Sequence, residues 1–334
     1  MSASTLMLTT GYMDPELVQI LKDGPTPASL GDTTDIHALR EMLLRKKQAA
    51  AGALGTPSDT TIMESDHLIP TRDGSHITVR VYRGPQSQDG PVMVMFHGGG
   101  FALGGLDNEA SLCKQWCQDL NGVGINVDYR LAPEFKFPAA VYDGYDAVRW
   151  AADNSSVHGG GLTKGFIVAG ISAGANIACA ISHLARDDNL TPSLTGVYLS
   201  IPSILSPEVV PERLKQDYTS REENKDALIL NEKAIALFRG LYEDDPFSPL
   251  ASPASFPSHA GIPPTYFQVA GADPLRDEGL VYEKMLREEA HVPTKIDLYP
   301  GLPHSFWTFW PNAEFSKKHK ADSIAGLRWL LEKE

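Results

Sequence analysis

The sequence predicts an α/β architecture, with a mostly parallel central sheet flanked by helices and roofed by a helical cap. Three observations predict it. From Pro91 onward, apolar strand-like runs alternate with helix-prone runs, and strand and helix in turn mean parallel strands joined by crossovers. Gly170-Ile171-Ser172-Ala173-Gly174 stands between the apolar run Phe166 to Ala169 and the helix-prone run Ala175 to Arg186, a strand, sharp turn and helix that expose a serine hydroxyl. The alternation then stops for a Pro-rich, charged stretch from about Pro202 to Pro253, which reads as an insertion. With 334 residues and 42% hydrophobic content, the chain suffices for one large core plus an appendage.

Taken in order, residues 1–56 read as an N-terminal helical cap segment in two pieces. These are Asp14 to Asp23, with Pro15 in the first turn, and Asp35 to Ala53; Gly24, Pro25 and Pro27 separate them. Residues 57–334 read as the main domain, the one that holds the Gly-x-Ser-x-Gly turn. Glu64 to Pro70 and Ser75 to Arg83 make a hairpin across Asp73-Gly74, because Ile77, Val79 and Val81 alternate with polar or amphipathic neighbours. Pro91 to Phe96 is continuously apolar, as a strand covered on both faces is, and ends at a run of glycines. There follow a helix from Ala110 to Leu120, a strand Val123 to Val127, a helix Pro138 to Asn154, the strand and helix around Ser172, and a strand Gly196 to Ile201. The insertion, about 202–253, holds one amphipathic helix, Asn231 to Tyr242, whose Ile235, Phe238, Leu241 and Tyr242 must cover something apolar. A strand Thr265 to Ala270, a helix Leu275 to Glu289, a strand Thr294 to Tyr299 and a helix Phe315 to Leu331 close the pattern.

A net charge of −13 argues against nucleic acid or anionic membrane as partners, since both select a basic surface. The first ten residues lack a basic n-region and a long apolar run, and no stretch approaches membrane-spanning length, so the expected location is cytoplasmic. On that reading the N-glycosylation patterns at Asn154 and Asn189 carry no meaning. The cysteines Cys113, Cys117 and Cys179 imply neither a disulfide framework nor a metal site. Cys113 and Cys117 lie four apart on a helix with no further ligands nearby, and buried thiols are the expectation.

A serine hydroxyl is a poor nucleophile near neutral pH, so Ser172 needs an imidazole as base and a carboxylate to orient it. Of the ten histidines, His291, His304 and His319 follow the candidate acids. His319 falls within the terminal helix and His291 in a helix-to-strand connector. His304 occupies the loop just after a strand, at the sheet edge where catalytic loops gather, and is the expected base. Asp273 directly follows the strand Thr265 to Ala270 and is the expected acid. Its rivals Asp277 and Glu278 fall a turn into the next helix, where acidic residues commonly offset the helix dipole. The order Ser172, Asp273, His304 is one of the known triad orders. Upstream, His97-Gly98-Gly99-Gly100-Phe101 suits an oxyanion hole built from the amides of Gly98 and Gly99 with that of Ala173. A phosphate-binding loop is the rival, but neither a Gly-Lys-Ser/Thr nor the dinucleotide glycine spacing is present. Phe101, Leu103, Phe238, Tyr242, Phe247, Phe306 and Trp307 are the expected apolar lining of a substrate pocket.

These residues, with Asp-Tyr-Arg-Leu-Ala-Pro-Glu at 128–134 and Asp-Pro-Leu-Arg-Asp at 273–277, make the chain resemble the hormone-sensitive lipase family of α/β-hydrolases from about residue 60 to the end. The resemblance implies the α/β-hydrolase fold and an esterase of small or medium carboxylic esters, working without a cofactor or metal through an acyl-enzyme. A homodimer is compatible with it. It assigns Ser172, Asp273 and His304 to a catalytic triad and Gly98, Gly99 and Ala173 to the oxyanion hole, and it implies that Tyr129, Arg130 and Glu134 brace the loops. Two positions depart from the family: Ile171, where Asp or Thr is frequent, and Ser305, where Gly is common. A specialised hydrolase or acyl-transfer enzyme of secondary metabolism is the alternative on the same triad. Plant gibberellin receptors share the resemblance but have lost the histidine, which is present here.

Overall fold

A computed structural model describes residues 12–32, 35–43, 45 and 61–332. Its frame is an eight-stranded sheet in the order β1-β2-β4-β3-β5-β6-β7-β8, formed by β1 Met63–Pro70, β2 His76–Arg83, β3 Val92–Phe96, β4 Val123–Asp128, β5 Phe166–Ile171, β6 Gly196–Ser200, β7 Thr265–Ala270 and β8 Thr294–Tyr299. β1 pairs with β2, and β2 with β4, in antiparallel fashion, whereas β4, β3, β5, β6, β7 and β8 run parallel. The hairpin arises where the sequence places it, with Pro70 opposite His76.

The parallel strands read as unbroken apolar runs because both faces are covered. Along β3 the side chains alternate: Val92, Val94 and Phe96 enter one core layer, and Met93 and Met95 the other. The first layer receives α3 Ala139–Asp153, α4 Ala173–Asp187 and α6 Arg276–Lys284, and the second receives α2 Ala110–Leu120 and the terminal helix α7 Glu314–Leu331. Cys113 and Cys117 lie with Trp116 on the buried face of α2, and burial pushes the Cys117 thiol up to about 11. The N-terminal helix α1 Pro15–Asp23 begins at Asp14, whose carboxylate accepts from the amides of Glu16 and Leu17, and it buries Leu17 in the second layer. Residues 36–43 are helical behind a similar cap at Asp35. The expected continuation toward Ala53 lies outside the described residues.

The insertion carries α5 Glu232–Tyr242, capped by the Asn231 side chain, among short helical turns. The helix expected over Leu275 to Glu289 is α-helical only to Lys284 and continues as a π-helical turn, Met285–Glu289. Among the described residues no helix is long and apolar enough to cross a membrane.

Two histidines sit deep in these layers, His183 on α4 and His319 on α7, and burial pushes both down to about 3. An unfolded histidine takes up its proton near ~6.5, so between that pH and about 3 the unfolded chain binds more protons than the folded one. Their contribution to stability is therefore complete above ~6.5 and is lost as pH falls through that window. The buried carboxyl of Glu278 and the half-buried one of Asp244, both pushed up by desolvation, act in the opposite sense. We therefore expect the fall in Tm between pH 7 and pH 5 to be smaller in His319→Gln than in the wild type, measured by thermal unfolding. An equal fall in both proteins contradicts the assignment.

Candidate active site

β3 continues outward to β4 on one side of the sheet and β5 lies on its other side, so the chain direction across the sheet reverses between β3 and β5. A crevice opens at such a reversal, outside the carboxyl ends of the strands. The glycine run follows β3 and Ser172 follows β5, so both meet there.

Ser172 takes φ 55 and ψ −116, a sparsely populated backbone state, at the junction of β5 and α4. The flanking glycines make that junction possible. A Cβ on Gly170 would lie 2.0 Å from the Gly174 carbonyl oxygen, and one on Gly174 2.1 Å from that of Phe96. The Ser172 amide donates to the Ser200 carbonyl at 2.8 Å, which ties the turn to β6.

His304, in the loop after β8, brings Nε2 to 2.9 Å from Ser172 Oγ and Nδ1 to 2.7 Å from Asp273 Oδ2. The other Asp273 oxygen accepts from the Leu275 amide at 2.9 Å. A carboxylate only accepts, so Nδ1 carries the ring hydrogen and Nε2 is left to accept from the serine. All three side chains are buried: Ser172 is 8% exposed, Asp273 1% and His304 4%. Ser305, the next residue, is left-handed at φ 55, a backbone state that accounts for the frequency of glycine there.

The rival acids have other partners. Asp277 Oδ2 accepts from the amides of Thr219 and Ser220, each at 2.7 Å. Glu278 Oε2 accepts from the amides of Ile204 and Leu205 at 2.6 and 2.9 Å, and its Oε1 from Arg221 at 2.8 Å. Rather than merely offsetting a dipole, these buried carboxylates tie the insertion to the start of α6. His291 is exposed, and His319 stacks on Trp307 at 3.7 Å, so neither meets the serine.

At the glycine run, the Gly98 amide is aimed at Glu109 Oε1 in a long 3.5 Å contact. The Tyr129 hydroxyl donates to the His97 carbonyl at 2.7 Å and its ring stacks on the His97 ring, holding the run from below. Arg130 forms a bidentate pair with the fully buried Asp143 and reaches Asp73 at 2.8 Å. Glu134 forms a bidentate pair with Arg40, which also donates to the carbonyls of Ala102 and Ala132. Arg40 therefore ties the N-terminal helical residues to two loops beside the crevice. Neither Arg40 nor Glu109 was a sequence candidate. Their partners lie 62 to 94 and 11 residues away along the chain, beyond the reach of any local pattern.

Above Ser172 and His304 lies a cavity of about 760 Å³. Phe101, Leu103, Phe238, Tyr242 and Trp307 line it as the sequence suggests, together with Leu30 and Leu43 from the N-terminal segment. The Phe238 ring packs on Gly100, where a Cβ would lie 2.4 Å from it, so α5 rests directly on the glycine run. Tyr242 stacks on Phe101 with ring centroids 4.0 Å apart. Two expectations are corrected. Phe247 stands 69% exposed in the turn after α5 and outside the cavity lining. Phe306 is fully buried, packed on Tyr299 and Phe315. It opens a helical turn, Phe306–Phe309, in which successive side chains diverge by about 100°, so Trp307 faces the cavity and Phe306 the core.

Residues 93–308 match a family described as the alpha/beta hydrolase fold. The chain is 38% identical over 324 residues to an AB hydrolase superfamily protein of Schizosaccharomyces pombe, covering 96% of this chain and 94% of the relative. It is 35% identical to the versiconal hemiacetal acetate esterase of Dothistroma septosporum, over 78% of this chain and 79% of that one. The vibralactone cyclase structure superposes with a TM-score of 0.88 at 33% identity, covering 97% of this chain and 96% of the cyclase. The chain belongs to the carboxylesterase-like family of α/β-hydrolases.

Proposed function

We propose that this protein is a serine carboxylesterase acting on small or medium-chain esters through an acyl-enzyme. The observation that carries the proposal is the continuous hydrogen-bonded chain Ser172, His304, Asp273 at the mouth of a large, mainly apolar cavity. Ser172 Oγ bonds to the ester carbonyl carbon while its proton passes to His304 Nε2, and the imidazolium that forms is held by the Asp273 carboxylate. The carbonyl oxygen becomes negative and is received by the amides of Gly98, Gly99 and Ala173. Among these, the Gly98 amide must turn from Glu109. His304 returns the proton to the departing alcohol oxygen, and water then releases the acid by the same route in reverse. The described N-terminal residues and the insertion 202–253 together make the cap, through Leu30, Leu43 and Phe238 in the cavity lining.

The reading requires His304 Nε2 to be free to accept the serine proton, as its 2.9 Å approach to Ser172 Oγ allows. It also makes α5 a selectivity element, since Phe238 roofs the glycine run and lines the cavity. Phe238→Ala should shift the preference among acetate, butyrate and octanoate esters toward the longer chains by about tenfold, the discrimination that a few methylenes give. An unaltered profile removes α5 from the substrate site.

A second reading, intramolecular acyl transfer, is favoured by the likeness to the vibralactone cyclase. An acyl-enzyme whose acyl chain carries its own hydroxyl closes a lactone in place of taking up water. Product analysis across esters and ω-hydroxy esters separates the two, by free acid in one case and lactone in the other.

A further inference from the structure

Three of the residues lining the cavity carry a deeply buried polar atom with no partner among the described residues: Asn176 Oδ1, the Tyr242 hydroxyl and Arg221 Nε, the last on a guanidinium already paired with Glu278. Asn176 and Tyr242 are each 2% exposed. Asn176 lies four residues after Ser172, one turn along α4, so it stands on the serine's face about 6 Å farther along the helix. Its amide orientation is determined, because Nδ2 lies 2.8 Å from the Ser203 carbonyl and 2.7 Å from that of Ala251 and must donate to both. Oδ1 is therefore the free arm, and it can only accept. The Tyr242 ring is fixed between Phe101, stacked on its face, and Phe137, edge-on at 5.7 Å, so its hydroxyl has little freedom to seek a partner elsewhere. Burial also pushes this phenol up, keeping it protonated as a donor.

A cavity built for hydrocarbon chains alone has no use for the Asn176 and Tyr242 atoms, since a buried polar atom left without a partner costs free energy. A site that hydrogen-bonds a substrate hydroxyl rejects the analogue lacking it far more strongly than an apolar pocket rejects a missing methylene. We propose that the preferred substrate carries a hydroxyl group away from the scissile ester, which donates to Asn176 Oδ1 or accepts from the Tyr242 hydroxyl. The substrate class is thus hydroxylated esters rather than plain alkyl esters. This rests on the esterase reading above and narrows it.

The test uses the full-length protein and two matched series of 4-methylumbelliferyl and alkyl esters. The first compares butyrate with 3-hydroxy- and 4-hydroxybutyrate of one alcohol. The second compares butyl acetate with 3- and 4-hydroxybutyl acetates. The wild type should favour at least one hydroxylated member over its plain partner by about tenfold or more in kcat/KM. Tyr242→Phe, which keeps the stacked ring, and Asn176→Asp, which keeps an acceptor oxygen but loses the Nδ2 donor that orients it, should each be measured as the ratio of hydroxylated to plain substrate. At least one should lower that ratio about tenfold, whereas Phe247→Ala, outside the cavity, should leave it in place. Equal kcat/KM across both series, or a preference that survives both substitutions, overturns the proposal while leaving the esterase reading intact. Hydrolysis of no ester in either series, with no labelling of Ser172 by a serine-directed phosphonate, overturns the esterase reading instead.

Discussion

Replacing Ser172 or His304 by alanine should lower kcat on p-nitrophenyl butyrate by about four to six orders of magnitude, the scale on which triad members act as a unit. The two substitutions should cost similar amounts, and the double variant little more than either, because a serine without its base and a base without its serine fail at the same proton transfer. A residue of catalysis over water should remain from the amides and the cavity. A serine-directed phosphonate should add its mass to Ser172 in the wild type and to no residue of Ser172→Ala. Equal slow hydrolysis by wild type and Ser172→Ala, with no labelling of either, leaves a small-molecule binding protein on the esterase scaffold as the surviving reading.

Asp273→Asn should lower kcat by about 10⁴ with little change in Tm. The reason is local. Asp273 Oδ1 accepts from the Leu275 amide at 2.9 Å, and an asparagine keeps that bond by keeping its oxygen there. Its NH₂ then faces His304 Nδ1, where Oδ2 stands at 2.7 Å in the native protein. The imidazole must answer with an acceptor at Nδ1, which moves its hydrogen to Nε2 and points a donor at Ser172 Oγ. The base is lost although every side chain keeps its place. Measuring kcat together with Tm separates this tautomer effect from unfolding. A drop below tenfold in a folded variant shows that Asp273 does not set the tautomer.

Much of this site was legible because its chemistry is tied to local pattern. A Gly-x-Ser-x-Gly between an apolar run and a helix allows one geometry, and Asp273 and His304 each follow directly on a strand whose bounds the sequence placed to the residue. The corrections arose where the determinant is three-dimensional. Phe306 and Trp307 are adjacent in sequence, and only the left-handed turn at Ser305 decides which of them faces the cavity. Phe247 has the composition of a pocket residue, but the turn after α5 directs it outward. Asp277 and Glu278 sit where acids suit a helix start, and nothing local shows that backbone amides 57 to 74 residues upstream converge on them. Arg40 is an ordinary helical arginine until Ala102, Ala132 and Glu134 meet it.

The anchoring of the insertion by Asp277 and Glu278 limits how freely that segment can be exchanged between relatives in enzyme engineering. Both carboxylates belong to the helix that begins three residues after Asp273, and both accept from the insertion, Glu278 from the amides of residues 204 and 205 and from Arg221, and Asp277 from the amides of residues 219 and 220 beside its pair with Arg276. A transplanted segment that lacks this set of donors leaves Glu278 buried without its ion partner and Asp277 with Arg276 alone, and removing one partner of a buried ion pair typically costs about 3–5 kcal/mol. The helix can relieve it only by moving, and Asp273 moves with it. Chimeras built by cutting at the ends of the insertion should therefore lose turnover on every substrate alike, and those that also carry over the α6 residues facing the insertion should recover it. The unit of exchange in this protein is the insertion together with the first turn of α6.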